Sequence, residues 1–374
     1  MRRLLFLTAL SVVLSIPVSA QRFNKPDRAI ELPDIPGYLT LKCDLHIHSV
    51  FSDGNVWPSI RVQEAIRDGL DAISLTEHIE YLPHIDDIPY PDRNRAHEIA
   101  IESAQNSDLI IIQGSEITRD MPPGHANAIF VSDSNRLIID GAKAVFREAS
   151  EQGAFIFWNH PAWTSQRKDG MAQLSEIHHD LLGEGLLNGI EVVNTNTYSD
   201  EALQIALDYN LTIIGASDVH GLIDWDYDVP YGGHRPVTLV FAKERSEAGI
   251  IEGRENRRTA VWFNNTLIGK EEFLEPLVQS SLEVTGAWYG GETSLLSINV
   301  QNNSDVEYLL KNKSDYTLHR THDVLTLAPH QSTRIDIKTL DRLSRVALPF
   351  EVLNAVTAPN THLEMTLQFS VDED

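Results

Sequence analysis

Between Tyr38 and Gly269 short apolar runs of strand character alternate with segments of helical period. Runs such as 72–75, 109–112, 155–158 and 212–216 are separated by helical patterns over 60–68, 93–106, 142–152, 176–182 and 201–208. That alternation predicts βα units whose parallel strands close into a barrel. After Phe273 the pattern changes. From Leu282 onward, alternating runs such as 295–300, 332–337 and 363–369 recur between turn residues, which predicts a small all-β sandwich. The chain opens differently again: Met1-Arg2-Arg3, an apolar run from Leu4 to Val18, then Ser19-Ala20. This reads as a signal peptide cleaved after Ala20. Its run of about 15 apolar residues is short for a bilayer span, and no later stretch is long and apolar enough to form one. The expected layout is therefore a signal peptide over 1–20, an extended proline-containing arm over 21–37, a barrel over 38–280 and a β-sandwich over 281–374. The expected location is outside the cytoplasm, periplasmic or secreted.

The chemistry collects where the apolar runs stop. His46 and His48 are two apart in an extended segment, so they share a face and can close on one ion. The turn Ser52-Asp53-Gly54 follows, and it can swing the Asp53 carboxylate back to the strand end. A lone His-x-His pair is as readily an ordinary hydrogen-bonding pair. Yet the later runs also finish on donors: Glu77 and His78, then Glu116, then His160 after Asn159, then Asp218 and His220. His125 opens one further run. Core histidines would be scattered, whereas these recur at the C-terminal ends of strands, the catalytic face of a parallel barrel.

The ordered series His46-x-His48, Asp53, His78, Glu116, His125, His160 and Asp218-x-His220 resembles the full ligand set of the PHP (polymerase and histidinol phosphatase) family. The similarity covers roughly residues 40–269. The segment Asn159-His160-Pro161-Ala162-Trp163, the leader and the added C-terminal region most resemble the secreted Sb-PDE type phosphodiesterases of that family. One departure is visible: many members carry Thr-Asp-His where this chain has Thr76-Glu77-His78, which leaves the role of Glu77 open. The resemblance implies a distorted seven-stranded (β/α) barrel of PHP type. It also implies two to three divalent ions: one on His46, His48, Glu116 and Asp218, one on Glu116, His125 and His160, and one on Asp53, His78 and His220. Glu116 would then be the bridge.

Mixed imidazole and carboxylate donors suit Zn, Mn or Fe alike. Water held between two such ions ionises near neutral pH and can attack a phosphate ester. The expected substrate is a small-molecule phosphate ester, a diester in preference to a monoester, with Glu116 bridging and Arg119 and Arg235 as candidates to clamp a phosphoryl oxygen. Tyr81, Trp163, Asn194 and Tyr198 are candidates to line the pocket. The polar loops over 79–93, with His84 and Tyr90, and over 221–236, with His234, are expected to roof it. An amidohydrolase also starts on His-x-His but bridges its metals with a modified lysine, and no lysine ends a core strand here. A non-catalytic metal-binding domain would show lost ligands.

Charge and cysteine narrow the rest. A formal net charge of −24 disfavours nucleic acid and anionic membrane as partners. The single cysteine, Cys43, lies in the apolar first strand, so no intrachain disulfide forms, and it reads as a small buried hydrophobe.

Overall fold

The structure, a computed structural model, describes residues 28–88 and 91–372. The leader over 1–20, the arm as far as Asp27, and Tyr90 lie outside the described residues. In chain order, β1 (Leu39–Ile47) leads through α1 (Pro58–Arg67) to β2 (Ala72–Leu75), and α2 (Arg95–Ala104) leads to β3 (Ile110–Ile117). Then β4 (Ala126–Ile129) is followed by α3 (Ala142–Glu151) and β5 (Phe155–Trp158), and α4 (Glu176–Gly183) by β6 (Gly189–Asn194) and β7 (Thr197–Tyr198). Next come α5 (Asp200–Asp208) and β8 (Thr212–Ala216). The helices start where local chemistry lets them: Pro58 occupies the first turn of α1, where no amide partner is needed, and the Ser199 hydroxyl accepts from Ala202 N to cap α5.

Strands β1, β2 and β3 pair in parallel, as do β5, β6 and β8. The expectation of a parallel set fails at β4, which runs antiparallel to both β3 and β5. Its link from β3, residues 118–125, holds no helix, and a parallel neighbour needs a crossover of about a dozen residues or more. The ring closes at the strand ends: Asp218 N donates to His46 O at 2.8 Å, and His48 N to Val219 O at 3.1 Å. Lower down, the Thr238 hydroxyl fills the gap between β8 and its neighbours by bonding Gly215 N and O, at 2.9 and 2.8 Å. This leaves a distorted barrel whose β1–β8 seam carries His46, His48, Asp218 and His220 at its end.

The sheet continues past β1. After α6 (Ile223–Asp226), β9 (Val237–Ala242) pairs antiparallel with β1. Past α7 (Glu247–Glu255), β10 (Thr259–Phe263) and β11 (Thr266–Gly269) extend it. Helix α8 (Glu271–Ser281) then runs straight into β12 (Leu282–Tyr289) with no linker. The all-β unit follows with β13 (Leu295–Asn302), β14 (Tyr308–Asn312), β15 (Thr317–Leu318), β16 (Val324–Leu327), β17 (Ser332–Lys338), β18 (Arg345–Ala358) and β19 (Thr361–Ser370).

The two units are less separate than the change in periodicity predicts. Strand β11 pairs in parallel with β18, Leu267 opposite Ala355 and Ile268 opposite Val356, so one sheet crosses the boundary. Asn354 Nδ2 donates to Asn265 O at 2.7 Å, and Glu307 N donates to Asn265 Oδ1 at 2.8 Å. One apolar core includes Leu239 and Phe241 of the barrel together with Leu296, Tyr308 and Phe350 of the sandwich. The described part of the arm is packed as well. Ile30 and Ile35 are buried, and Arg28 pairs with Asp68 and with Asp224. Among the described residues no helix is long and apolar enough to cross a membrane.

Candidate metal centre

At the end of β1 the Nε2 atoms of His46 and His48 face each other at 3.0 Å, both rings fully buried. Asp218 Oδ1, just beyond β8, stands 3.2 and 3.1 Å from them, and Glu116 Oε2, near the end of β3, stands 3.5 and 3.3 Å away. A tetrahedral ion with bonds of about 2.1 Å spaces its donor atoms by about 3.4 Å. The two imidazole nitrogens are therefore close to coordination spacing from each other and from each of the two carboxylate oxygens. Asp218 adopts φ 49°, a left-handed conformation that is costly for a residue with a side chain and that turns this carboxylate into the barrel mouth.

Two further groups adjoin the first. Asp53 Oδ1 lies 3.1 Å from His220 Nε2, and its Oδ2 lies 3.4 Å from His78 Nε2. Glu116 Oε1 lies 2.9 Å from His125 Nδ1 and 3.4 Å from His160 Nε2. Both oxygens of Glu116 thus face imidazoles, from opposite sides. Donor atoms crowd within 4.8 Å of one another in three sets: His48, Asp53, His78 and His220; His46, His48 and Glu116; and His78, Glu116 and His125. The turn that delivers Asp53 needs its glycine. A Cβ on Gly54 would meet the His48 carbonyl carbon and Ser49 N at 2.8 Å.

The residues fit bound cations on a separate ground. Glu116 Oε2 and Asp53 Oδ1 are buried and receive no well-directed hydrogen bond; they meet only imidazole nitrogens, His78 Nδ1 at 2.9 Å and His220 Nε2 at 3.1 Å, so a carboxylate oxygen shielded from water depends here on positive charge. Their ionisation shows what substitutes. Burial would raise Glu116, but His78, His46 and the hydrogen bonds from His125 and His160 hold it well below the usual carboxylate range. Burial would likewise raise Asp53, yet His220 and His78 hold it far down. Burial would lower His78, but Glu116 and Asp53 together push it up to about 10, and His46 and His220 rise for the same kind of reason. Without metal these carboxylates favour protonated imidazoles, and a bound cation would take over that charge and release the protons.

A second layer aims the donors. Glu191, 1% exposed in the middle of β6, accepts from His46 Nδ1 at 2.7 Å, from His160 N at 2.7 Å and from Asn194 Nδ2 at 2.9 Å. It fixes the His46 tautomer with Nε2 turned to the centre. Asn159 Nδ2 donates to Glu116 Oε1 at 2.8 Å, and the Thr118 hydroxyl pairs with His78 Nδ1 at 2.7 Å. None of these three was expected from the sequence. The signal for Glu191 was there: a lone carboxylate between Ile190 and Val192 in the Gly189–Asn194 strand. Glu77 also has a role. It bonds Ser49 N at 3.1 Å, the Ser49 hydroxyl, and the Ser52 hydroxyl at 2.5 Å, and Ser52 in turn contacts His48 Nδ1 at 3.2 Å, so Glu77 holds the turn and one ligand.

Removing the charge that aims His46 is expected to lower metal affinity. Outer-shell partners of ligating histidines are worth about 10- to 100-fold in affinity. Glu191→Gln should show that loss in competition with a chelator, while its folding, followed by circular dichroism, stays that of the parent. Unchanged metal affinity would remove Glu191 from the centre.

The two arginines do not reach the centre. Arg235 is 1% exposed, its guanidinium bonded to Asp68 Oδ2 at 2.6 and 2.9 Å and to Asp44 Oδ2 at 3.1 Å, far too enclosed to meet a substrate. Arg119 is tied to Glu80, to Thr118 O at 3.0 Å and to Ile139 O at 2.9 Å. In both, backbone and carboxylate acceptors out-compete a ligand that sequence cannot place. Trp163 and Asn194 do line the cavity over the donors, and Tyr81 stands with its ring 5.7 Å from that of His78. Tyr198 instead bonds Asp200, and His234 stacks on Trp262 at 3.5 Å. His84 is half-buried in the 79–93 loop and is not among the residues lining the cavity. The 221–236 loop does not roof the centre with its aromatics: Trp225 and Tyr231 are 77% and 88% exposed.

Comparison with known proteins places this arrangement. The PHP domain matches residues 44–240 and an Ig-like domain matches residues 282–368. Comparison with curated proteins finds no match. Among solved structures, the chain is 46% identical to a two-domain protein from Bacteroides vulgatus that contains a predicted PHP-like metal-dependent phosphoesterase; the alignment covers 92% of this chain and 99% of that one, with a TM-score of 0.86. A putative metal-dependent phosphoesterase from Bifidobacterium adolescentis is 18% identical over 51% of this chain and 90% of that one, with a TM-score of 0.39. The lesion-specific endonuclease of Pyrococcus furiosus is 15% identical over 67% and 62%, with a TM-score of 0.40. Since the PHP domain spans more than half of the 374 residues and a 46% identical structure follows the chain through both units, this protein belongs to the PHP family, its PHP domain joined to a C-terminal Ig-like domain.

Proposed function

We propose that the protein hydrolyses small phosphodiesters at a centre of three divalent ions. One observation carries the choice of diester: the cavity over the donors, about 240 Å³, is lined by Asp53, His78, Glu116, His125, His160, Trp163, Asn194, Thr195, Asp218 and His220, with no lysine or arginine. A monoester dianion needs more positive charge than a diester monoanion. With Arg119 and Arg235 engaged elsewhere, no lysine or arginine among the described residues lining the cavity is left to meet it beside the ions. The description of the Bacteroides vulgatus relative as a metal-dependent phosphoesterase supports the reaction class.

His46, His48, Glu116 and Asp218 would hold one ion, Glu116, His125 and His160 a second, and Asp53, His78 and His220 a third. When bound, such ions lower the pKa of water toward neutrality and neutralise charge developing on phosphoryl oxygens. The chain does the rest by orientation. Glu191, Ser52 and Thr118 hold the imidazoles of His46, His48 and His78 in place before substrate arrives, so little reorganisation remains to be done. Trp163, 44% exposed at the mouth, offers a flat apolar face to an ester arm and excludes water beside it.

The reading is tested by catalytic efficiency on bis-p-nitrophenyl phosphate against p-nitrophenyl phosphate, with the metal-stripped protein reloaded with Zn, Mn or Fe in turn. The diester is expected to lead by about tenfold or more, the scale of one unmatched charge contact. A monoester preference with every metal overturns the diester assignment.

A further inference from the structure

A second cavity, about 140 Å³, opens from the first and shares its wall at His160, Trp163, Asn194 and Thr195. It runs between the loop after β5 and the β6–β7 hairpin, reaching Thr164 and Thr197. An apolar cavity of about 150 Å³ takes a benzene, so the space fits one six-membered ring. Its lining also holds no lysine or arginine, and its single acid, Glu191, is engaged by His46, His160 and Asn194. A charged arm therefore gains nothing here. The unengaged groups are neutral: the hydroxyls of Thr164, Thr195 and Thr197 have no partner among the described residues. Because Asn194 Nδ2 donates to Glu191, the amide is held with Oδ1 turned away from that carboxylate as an acceptor. Thr195 is held at φ 51° by its N–H bond to Ala216 O at 3.2 Å, a strained conformation kept at the junction of the two cavities. A flat indole face beside several unengaged hydroxyls is the chemistry that recognises a hydroxylated ring, with its C–H face on the aromatic and its hydroxyls at the rim.

Resting on the phosphoesterase reading above, we propose that this second cavity is the subsite for one ester arm and that it takes a neutral, hydroxyl-bearing ring, a sugar or a cyclic polyol. The test is calorimetric binding of glucose 6-phosphate, phenyl phosphate and methyl phosphate to the metal-loaded full chain, with phosphate release followed in parallel. Glucose 6-phosphate is expected to bind about tenfold tighter than either of the others, the worth of roughly one net hydrogen bond. That advantage should shrink in Thr197→Val and vanish in the Thr164→Val/Thr197→Val double variant. Equal affinities for all three, or phenyl phosphate binding tightest, overturns the proposal. Rapid phosphate release from these monoesters would instead overturn the diester reading and leave the subsite standing, so the two failures are told apart.

Discussion

Glu116→Gln is expected to leave a folded protein with less metal and a turnover lowered by at least about a thousandfold, the upper range for losing one preorganised electrostatic contact. Glu116 faces donors with both oxygens: His46, His48 and His78 across Oε2, His125 and His160 across Oε1. The amide keeps the shape and the bond from Asn159 but removes the charge that two ions would share. Elemental analysis and kcat on the same preparation check it; full metal content with normal turnover would end the bridging role. The metal-free proteins should differ in their pH dependence as well. His78 is raised in the folded state to about 10, so its ion pairs add stability that is fully present below its unfolded value near 6.5 and is lost as pH rises toward 10. Stripped parent protein should therefore weaken across that window. Glu116→Gln, having lost the main partner of His78, should show a shallower decline.

Most of the candidate donors could be located in the sequence because they end or open an apolar run, Asp53 sits in the turn just after one, and period-two alternation puts His46 and His48 on one face. Such signals are local. What stayed hidden depends on partners distant in sequence. The β4 direction follows from a short link whose antiparallel return is invisible until β5 is placed beside it. The Ig-like unit is announced by a change of periodicity at Leu282, but the pairing of β11 with β18 joins residues nearly 90 apart, and no local pattern encodes it. Glu77 differs from the usual family aspartate. Its longer side chain reaches two serines of the turn, which explains the departure as packing around His48 and not as a lost ligand. The arginines misled for a related reason: a basic residue near a strand end looks free until its acidic partners, far off in the chain, are seen to enclose it.

Arg235 is the clearest case, and its replacement should fail as a fold and not as a substrate contact. Burial works against its charge, but Asp68, Asp44 and Glu64 more than compensate and raise the guanidinium further. Arg235→Ala would leave Asp44 buried without its Arg235 partner and Asp68 with Arg28 alone, a change that costs about 3–5 kcal/mol. The damage should also reach the metals. Asp44 accepts from Ser217 N at 3.1 Å and from the Ser217 hydroxyl at 2.6 Å, and Ser217 directly precedes the left-handed Asp218, so loosening Asp44 loosens a ligand. Denaturant unfolding should show the loss, and metal content should fall with it. The control is Arg235→Met combined with Asp68→Asn: with opposite charges removed together, stability should recover part of the way, because breaking a buried pair from one side costs more than replacing both partners. If Arg235→Ala unfolds like the parent and only its KM rises, the guanidinium belongs in the substrate pocket after all, and the enclosure by Asp44 and Asp68 is not what holds it.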